Sequence, residues 1–281
     1  MTDPLQPGRL FLVSTPIGNM GDFSFRAVEV LRSVALVLAE DTRHSRALLD
    51  RYDIRTRMAS YHEHNEAKMT PRVMDRLAAG EDIALISDAG TPLVSDPGQR
   101  LVQAAIAADV QVVPIPGASA LLAALVASGL SAERFTFYGF LPRKGRERAA
   151  ALAAIAATPH TAILYESPNR VADSLRDLVS QGMPGDRSVV VARELTKQFE
   201  ELRRGTLASL TAYYEETPPR GEVVILIAGA PSAEPVDEAV LRDDARALRA
   251  SGLSVRDVAA ELSKRGVSRN VAYRMARETD D

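Results

Sequence analysis

The sequence predicts an α/β protein built as two α/β units with largely parallel or mixed sheets, followed by a small helical segment. Three observations carry this. Up to Gly229, short apolar, β-branched runs alternate with segments of helical spacing. Most of the runs stop abruptly in turns rich in Gly, Pro, Ser and Asp. After Gly229 comes Ala-Pro-Ser-Ala-Glu-Pro, a linker by composition, and then arginine-rich segments of purely helical spacing.

Strands are expected at 9–14, 34–39, 83–87, 110–115, 135–140, 161–165, 188–192 and 223–228, because each is a short apolar run between turn signals. Helices are expected at 25–32, 45–52, 68–79, 99–108, 118–129, 146–157, 169–181 and 207–216. A boundary falls between Pro116 and Arg134, giving domains at 1–117 and 118–230. The 118–129 helix, stopped by Gly129, bridges them. Segments 237–249, 254–265 and 268–277 form a third, helical part at 236–281. There Ser254 and Ser268 are N-cap candidates, and Gly252 and Gly266 are breaks. The last two helices, joined at Gly266-Val267, have the form of a helix-turn-helix; the alternative is a helical cap with a solvated arginine face.

The chain has 281 residues, no Cys and no Trp, and 34 basic against 37 acidic residues, a net charge of −3. Without Cys there are no disulfides, thiolate nucleophiles, iron–sulfur clusters or Cys-based zinc sites. A chain that is slightly acidic overall needs a local basic patch to hold nucleic acid. Arg143-Lys144-Gly145-Arg146-Glu147-Arg148 and the arginines from Arg242 to Arg277 are the two candidates. The N-terminal MTDPLQPGRL lacks a basic-then-apolar signal pattern, and the longest apolar stretch, 118–127, is too short for a bilayer. A cytoplasmic protein without membrane attachment is expected.

The most informative stretch is IALISDAGTPLVSDPG, at 83–98. A buried strand runs into two tandem turns that hold hydroxyls, carboxylates, glycines and prolines. Such rigid polar loops at the carboxyl ends of strands are where open α/β sheets bind ligands. Ser14-Thr15-Pro16-Ile17-Gly18-Asn19 follows the first strand, but it lacks G-x-G-x-x-G, and no P-loop occurs anywhere. Glu40-Asp41 precedes a helix, where capping is the simpler role. His62 and His64 are two apart, not at the helical zinc spacing, and no metal is expected. Pro116-Gly117-Ala118-Ser119-Ala120 is a small-residue turn that lets a ligand approach the backbone. Tyr165-Glu166-Ser167-Pro168, Ala192-Arg193-Glu194-Leu195-Thr196-Lys197 and the basic run after Phe140 place charged groups at further strand ends. A surface ion pair would account for any one of these. Their convergence on one edge points to a ligand.

LVSTPIGNMGD, AEDTRHSRALL, SYHEHNE, ISDAGTPLVSDPG, PIPGASA, FYGFLPRKG, YESPNR and ARELTKQFEE stand in order along the chain. Together they resemble the ribosomal RNA small subunit methyltransferase I family, within the tetrapyrrole-methylase-like (class III) S-adenosylmethionine methyltransferases. The resemblance is strong from Arg9 to Gly229 and weaker beyond. Tetrapyrrole methylases usually carry Gly-Asp-Pro where this chain has Gly90-Thr91-Pro92, and a glycine-richer first loop; both departures match the rRNA branch. The resemblance implies S-adenosylmethionine in a cleft shared by the two α/β domains, and a homodimer. It also implies 2′-O-methylation of the decoding-centre cytidine of 16S rRNA, on free rRNA or the small ribosomal subunit.

By motif position the implied cofactor contacts are Ile17, Gly90, Thr91, Val94, Ser119, Ala120, Tyr165, Ala192 and Glu222. In-line transfer to a ribose hydroxyl needs alignment, worth ~7–11 kcal/mol, and a general base, worth roughly 3–5 kcal/mol. Base candidates are Glu166 and Glu194, or Lys144 or Lys197 if burial lowers the amine pKa. RNA contacts are expected from Arg143, Lys144, Arg146, Arg170 and Arg193, since guanidinium groups both stack and bind phosphate. Two rivals stand beside this reading. One is a methyltransferase of the same fold acting on a tetrapyrrole or a protein side chain. The other is a non-catalytic RNA-binding assembly factor.

Overall fold

The computed structural model describes residues 6–231, 238–264 and 269–278, and the chain divides into compact units at Met1–Gly229 and Ala230–Asp281. In the larger unit the first sheet holds β1 (Leu10–Val13), β2 (Leu36–Ala39), β3 (Met58–Ser60), β4 (Ile83–Ile86) and β5 (Val112–Ile115). Their order is β3-β2-β4-β1-β5, and every pair is parallel. Alternate residues of one strand therefore face opposite layers. Ala84 and Ile86 pack with Leu31 and Leu49 of α1 (Phe25–Ser33) and α2 (Thr42–Arg51). Ile83 and Leu85 pack with Leu77 and Leu101 of α3 (Glu66–Ala78) and α4 (Gln99–Ala107). Burial on both faces explains why these strands read as continuous apolar runs rather than alternating ones.

The second sheet is mixed. It holds β6 (Phe135–Phe140), β7 (Thr161–Glu166), β8 (Ser188–Arg193), β9 (Glu201–Thr206) and β10 (Val223–Ile227), in the order β6-β7-β10-β8-β9. β6 is parallel to β7, β10 is antiparallel to β7 and β8, and β9 is antiparallel to β8. The bridging helix, α5 (Ala120–Ser128), stops at Gly129 in the left-handed region, φ 82°. It covers one face of this sheet through Leu121, Ala124 and Leu125 against Ile163, Val190 and Leu226. The other face is covered by α6 (Gly145–Ala157), α7 (Val171–Ser180) and α8 (Leu207–Glu216).

β3 and β9 are absent from the sequence expectation. Both are edge strands without a fully buried residue, and neither carries an apolar run. α2 starts three residues earlier than its spacing predicts, because Asp41 caps it by accepting from the N–H groups of Arg43 and His44 at 2.8 and 3.3 Å.

The smaller unit holds α9 (Glu238–Ala250), α10 (Val255–Lys264) and α11 (Arg269–Arg277) around Leu241, Val258, Leu262 and Met275. Ser254 caps α10 by accepting from Asp257 N at 3.2 Å, and Gly252 ends the preceding segment at φ 89°. The expected turn at Gly266-Val267 and cap at Ser268 lie outside the described residues. Among the described residues, no helix is long and apolar enough to cross a membrane.

Arg148 belongs to the basic run read from the sequence, yet it is only 8% exposed. It donates to Asp177 Oδ2 at 2.8 Å, to Pro142 O at 3.1 Å and to Ser174 Oγ at 3.0 Å, and so ties α6 to α7 and to the β6–α6 turn. Removing one partner of a buried charged network leaves the others unsatisfied. Arg148→Ala should therefore lower the unfolding free energy by about 2–3 kcal/mol, read from the urea midpoint. An unchanged midpoint would show that the network contributes no net stability.

Candidate active site

All strands of the first sheet end on one edge, and the turns after β1, β4 and β5 lie there. In the second sheet β10 runs against β7 and β8, so Val223 pairs with both Glu166 and Arg193. The turn before β10 thus lies beside the turns after β7 and β8. A cavity of about 340 Å³ opens where these turns meet. Ile17, Gly90, Thr91, Val94, Ser119, Ala120, Tyr165 and Glu222 all line it. Ala192, the ninth residue expected there, is not a lining residue; it is fully buried among Val224, Leu226 and Leu125, where strand alternation carries its methyl into the core.

The loop after β4 is held by several hydrogen bonds. Thr15 N donates to Gly90 O at 2.8 Å and Gly90 N to Thr15 O at 3.1 Å. Thr15 Oγ1 donates to Ser87 O at 3.1 Å, and Thr91 Oγ1 donates to Ala118 O at 3.2 Å. Gly90 sits at φ 86°, where a Cβ would lie 3.2 Å from Ile17 Cγ2. Leu93 and Ser95 have φ of 71° and 67°, conformations that cost non-glycine residues energy and gather at ligand sites. Tyr165 stands edge-on to Phe137 with ring centroids 4.9 Å apart, and 5.5 Å from Phe140.

Electrostatically the cavity is acidic. Burial pushes the Asp96 carboxyl up to about 6, with Glu40 and Asp88 raising it further against a hydrogen bond from Ser87. Burial and the Asp88 charge likewise raise Glu40. Burial raises the Tyr165 hydroxyl, which keeps it a neutral donor.

Three of the four base candidates, Glu166, Glu194 and Lys197, are already engaged by partners within the protein. Tyr165 and Glu166 are adjacent on β7, so they face opposite layers. The Glu166 side chain is fully buried on the α7 side, accepting from Ser167 N at 2.8 Å and Ser174 Oγ at 2.6 Å, with Arg170 Nε at 3.5 Å. Glu166 is among the residues that line the cavity, but these partners engage both of its carboxylate oxygens and it braces the fold. Glu194 accepts from Glu222 N at 3.0 Å and from Lys197 Nζ at 3.0 Å, and the backbone hydrogen bond, with Lys197, lowers its pKa. Burial alone would lower the Lys197 amine, but Glu194 and Glu222 outweigh it and the pKa rises, so the ammonium persists. The lowered amine pKa that a Lys197 base requires is absent. Lys197 instead packs against the first loop, where a Cβ on Gly18 would lie 2.4 Å from its Cγ.

Of the expected RNA contacts, Arg143, Lys144 and Arg146 are exposed on the β6–α6 turn and the start of α6. Arg170 and Arg193 are engaged internally. Arg170 donates to Leu141 O at 3.1 Å and Pro142 O at 3.2 Å, and Arg193 pairs with Glu201 at 2.7 Å. His62 and His64 stand edge to face at 5.9 Å, and among the described residues no group of three His, Cys, Asp or Glu could hold a metal.

Asp96, Phe140, Leu195, Gly221 and Val223 also line the cavity and were not expected as site residues. Asp96 lies in the second of the tandem turns, so its place was legible. The others carry no chemical signal of their own.

The architecture is that of the class defined by the Tetrapyrrole (Corrin/Porphyrin) Methylases family model, which matches residues 9–211. A uroporphyrin-III C-methyl transferase of Thermus thermophilus, solved in complex with S-adenosyl homocysteine, superposes with a TM-score of 0.57 at 19% identity, covering 78% of this chain and 97% of its own. Ribosomal RNA small subunit methyltransferase I of Synechocystis sp. is 49% identical over 92% of each chain. That of Pseudomonas aeruginosa is 46% identical over 97% of this chain and 98% of its own. The chain belongs to the ribosomal RNA small subunit methyltransferase I family.

A carboxyl group whose folded pKa is about 6 against an ordinary 3.8 favours the folded state only while protonated. Its contribution is full below 3.8 and is lost as pH rises through 6. Asp96→Asn should therefore be more stable than the wild type at pH 7 and nearly equal to it at pH 3.5, by urea denaturation. An equal offset at both pH values would mean that Asp96 is not a penalised carboxylate.

Proposed function

We propose that the protein transfers a methyl group from S-adenosylmethionine to the ribose 2′-hydroxyl of the decoding-centre cytidine of 16S rRNA, the residue that becomes N4,2′-O-dimethylcytidine. Family membership supports the coarser activity, S-adenosylmethionine-dependent methylation of small-subunit rRNA. The observation that carries the finer reading is one cavity walled by the polar turns of both sheets, with the exposed Arg143, Lys144 and Arg146 following its lining residue Phe140 in the chain.

The residues present fit the methyl donor. The cavity is of small-molecule size and mostly apolar, with few polar groups. Gly90 packs closely against Ile17 in one wall, and Asp96 and Glu222 supply negative charge suited to a cationic sulfonium nucleoside. Gly90, Thr91, Ser119, Tyr165 and Glu222 would hold it. Bound there, it supplies an electrophilic methyl group with a neutral leaving group. No oxyanion hole is required, so the protein's tasks are alignment and acceptance of one proton. Alignment is the larger, at ~7–11 kcal/mol against roughly 3–5 kcal/mol for a base. Asp96 faces the cavity with a pKa near working pH, and we assign it as the proton acceptor in place of Glu166 and Glu194.

The same reading makes 1–117 and 118–230 the domains that form the cleft and 236–281 an appendage, in a cytoplasmic homodimer. Incubation with radiolabelled S-adenosylmethionine and either free 16S rRNA or small ribosomal subunits tests it, with label expected in the ribose of one cytidine. Label in a ribosomal protein side chain, or rRNA binding without transfer, would replace it with another reading.

Thr91→Arg should fill the cavity and abolish S-adenosylmethionine binding by calorimetry; unchanged affinity would refute the placement. Lys144→Glu should weaken rRNA binding and lower its salt slope by about one, with cofactor affinity intact. Equal loss of both would remove the β6–α6 turn from the RNA surface.

A further inference from the structure

Two smaller cavities, of about 280 and 300 Å³, continue from the main one along the same edge of the second sheet. The first shares Gly221 with the main cavity, and the two share Arg193 and Arg220 with each other. The three therefore form one track across the ends of β10, β8 and β9. Its chemistry is unlike that of an ordinary surface. Phe199 is 64% exposed on its rim. Arg220 is exposed and has no ion-pair partner among the described residues. At the far end Tyr214 is only 2% exposed, and its hydroxyl has no hydrogen-bond partner among the described residues.

A buried, unpaired hydroxyl carries a desolvation cost that a ligand acceptor would remove. The Tyr214 pKa, pushed up to about 12 by burial and by Glu201, keeps that group protonated and a donor. An exposed aromatic face beside an unpaired guanidinium is the chemistry that holds single-stranded RNA, the base by stacking and the phosphate by charge. Neither group serves the methyl donor.

We propose that this track is a second substrate subsite, which receives the nucleotide adjoining the methylated one in the RNA strand. Arg220 holds its phosphate, Phe199 stacks its base, and the Tyr214 hydroxyl donates to an acceptor at the far end. With Arg143 and Lys144 on the β6 side, the strand crosses the whole sheet edge and presents one ribose to the cavity between. This rests on the rRNA methyltransferase reading above.

The test compares wild type with Phe199→Ala, Arg220→Glu and Tyr214→Phe for binding to free 16S rRNA and small ribosomal subunits, for S-adenosylmethionine affinity, and for methyl transfer. Phe199 and Arg220 are exposed, so their variants keep the fold. Phe199→Ala is expected to weaken RNA binding roughly 5- to 150-fold, and Arg220→Glu to reduce the salt slope by about one. KM for RNA should rise while kcat and cofactor affinity hold. Tyr214→Phe should weaken RNA binding while the free protein becomes no less stable, a pairing that a purely structural tyrosine would not give. Wild-type RNA affinity in both Phe199→Ala and Arg220→Glu overturns the proposal, even where the wild type methylates rRNA normally. So does displacement of RNA by inorganic phosphate at matched ionic strength, which would mark a free-anion site. A wild type that binds RNA through these residues without transferring methyl would sustain the track and sink the methyltransferase reading instead.

Discussion

Because β10 runs antiparallel to β7 and β8, its first residue pairs with the last residues of both neighbours. A fully parallel second sheet would send the turn before β10 to the opposite edge. The reversal instead lays the Gly221-Glu222 turn beside Tyr165 and Leu195, facing the turns of the first sheet. Cavity, acidic lining and the adjoining track all depend on this one change of strand direction. Nothing in the composition of β10, five apolar residues buried throughout, distinguishes it from the parallel strands.

Most of the charge near the site positions backbone. Glu194 holds the N–H of Glu222 and the ammonium of Lys197, and Lys197 also reaches Glu222 at 3.3 Å. Glu166 and Arg148 meet through Ser174 and anchor α7 beneath the turn after β7. These pairs are partly or fully shielded, so breaking one member costs more than an exposed ion pair contributes. Their expense is consistent with a reaction in which geometry outweighs proton transfer.

The fold was legible wherever a strand is buried on both faces, since such strands are short apolar runs between turns. It was illegible at the edges. Met58–Ser60 and Glu201–Thr206 pair along one side only, and Glu201-Leu202-Arg203-Arg204 reads as solvated surface. The lining residues Thr91, Ser119 and Tyr165 were legible as polar or aromatic groups at strand ends. The base candidates were not, because a carboxylate's availability depends on its partners. Tyr165 and Glu166 are neighbours on a strand, so their side chains point to opposite layers, although both residues line the cavity. The raised pKa of Asp96 comes from burial by chain distant in sequence, which no local pattern records.

Gly221 has a longer reach than its size suggests. At φ 84°, with a Cβ position only 2.2 Å from Glu194 Oε1, it leaves its turn no room to move toward β8. That same residue lines both the main cavity and the first of the smaller ones. A side chain at this position would have to push the Glu194 carboxylate off the Glu222 N–H that it holds.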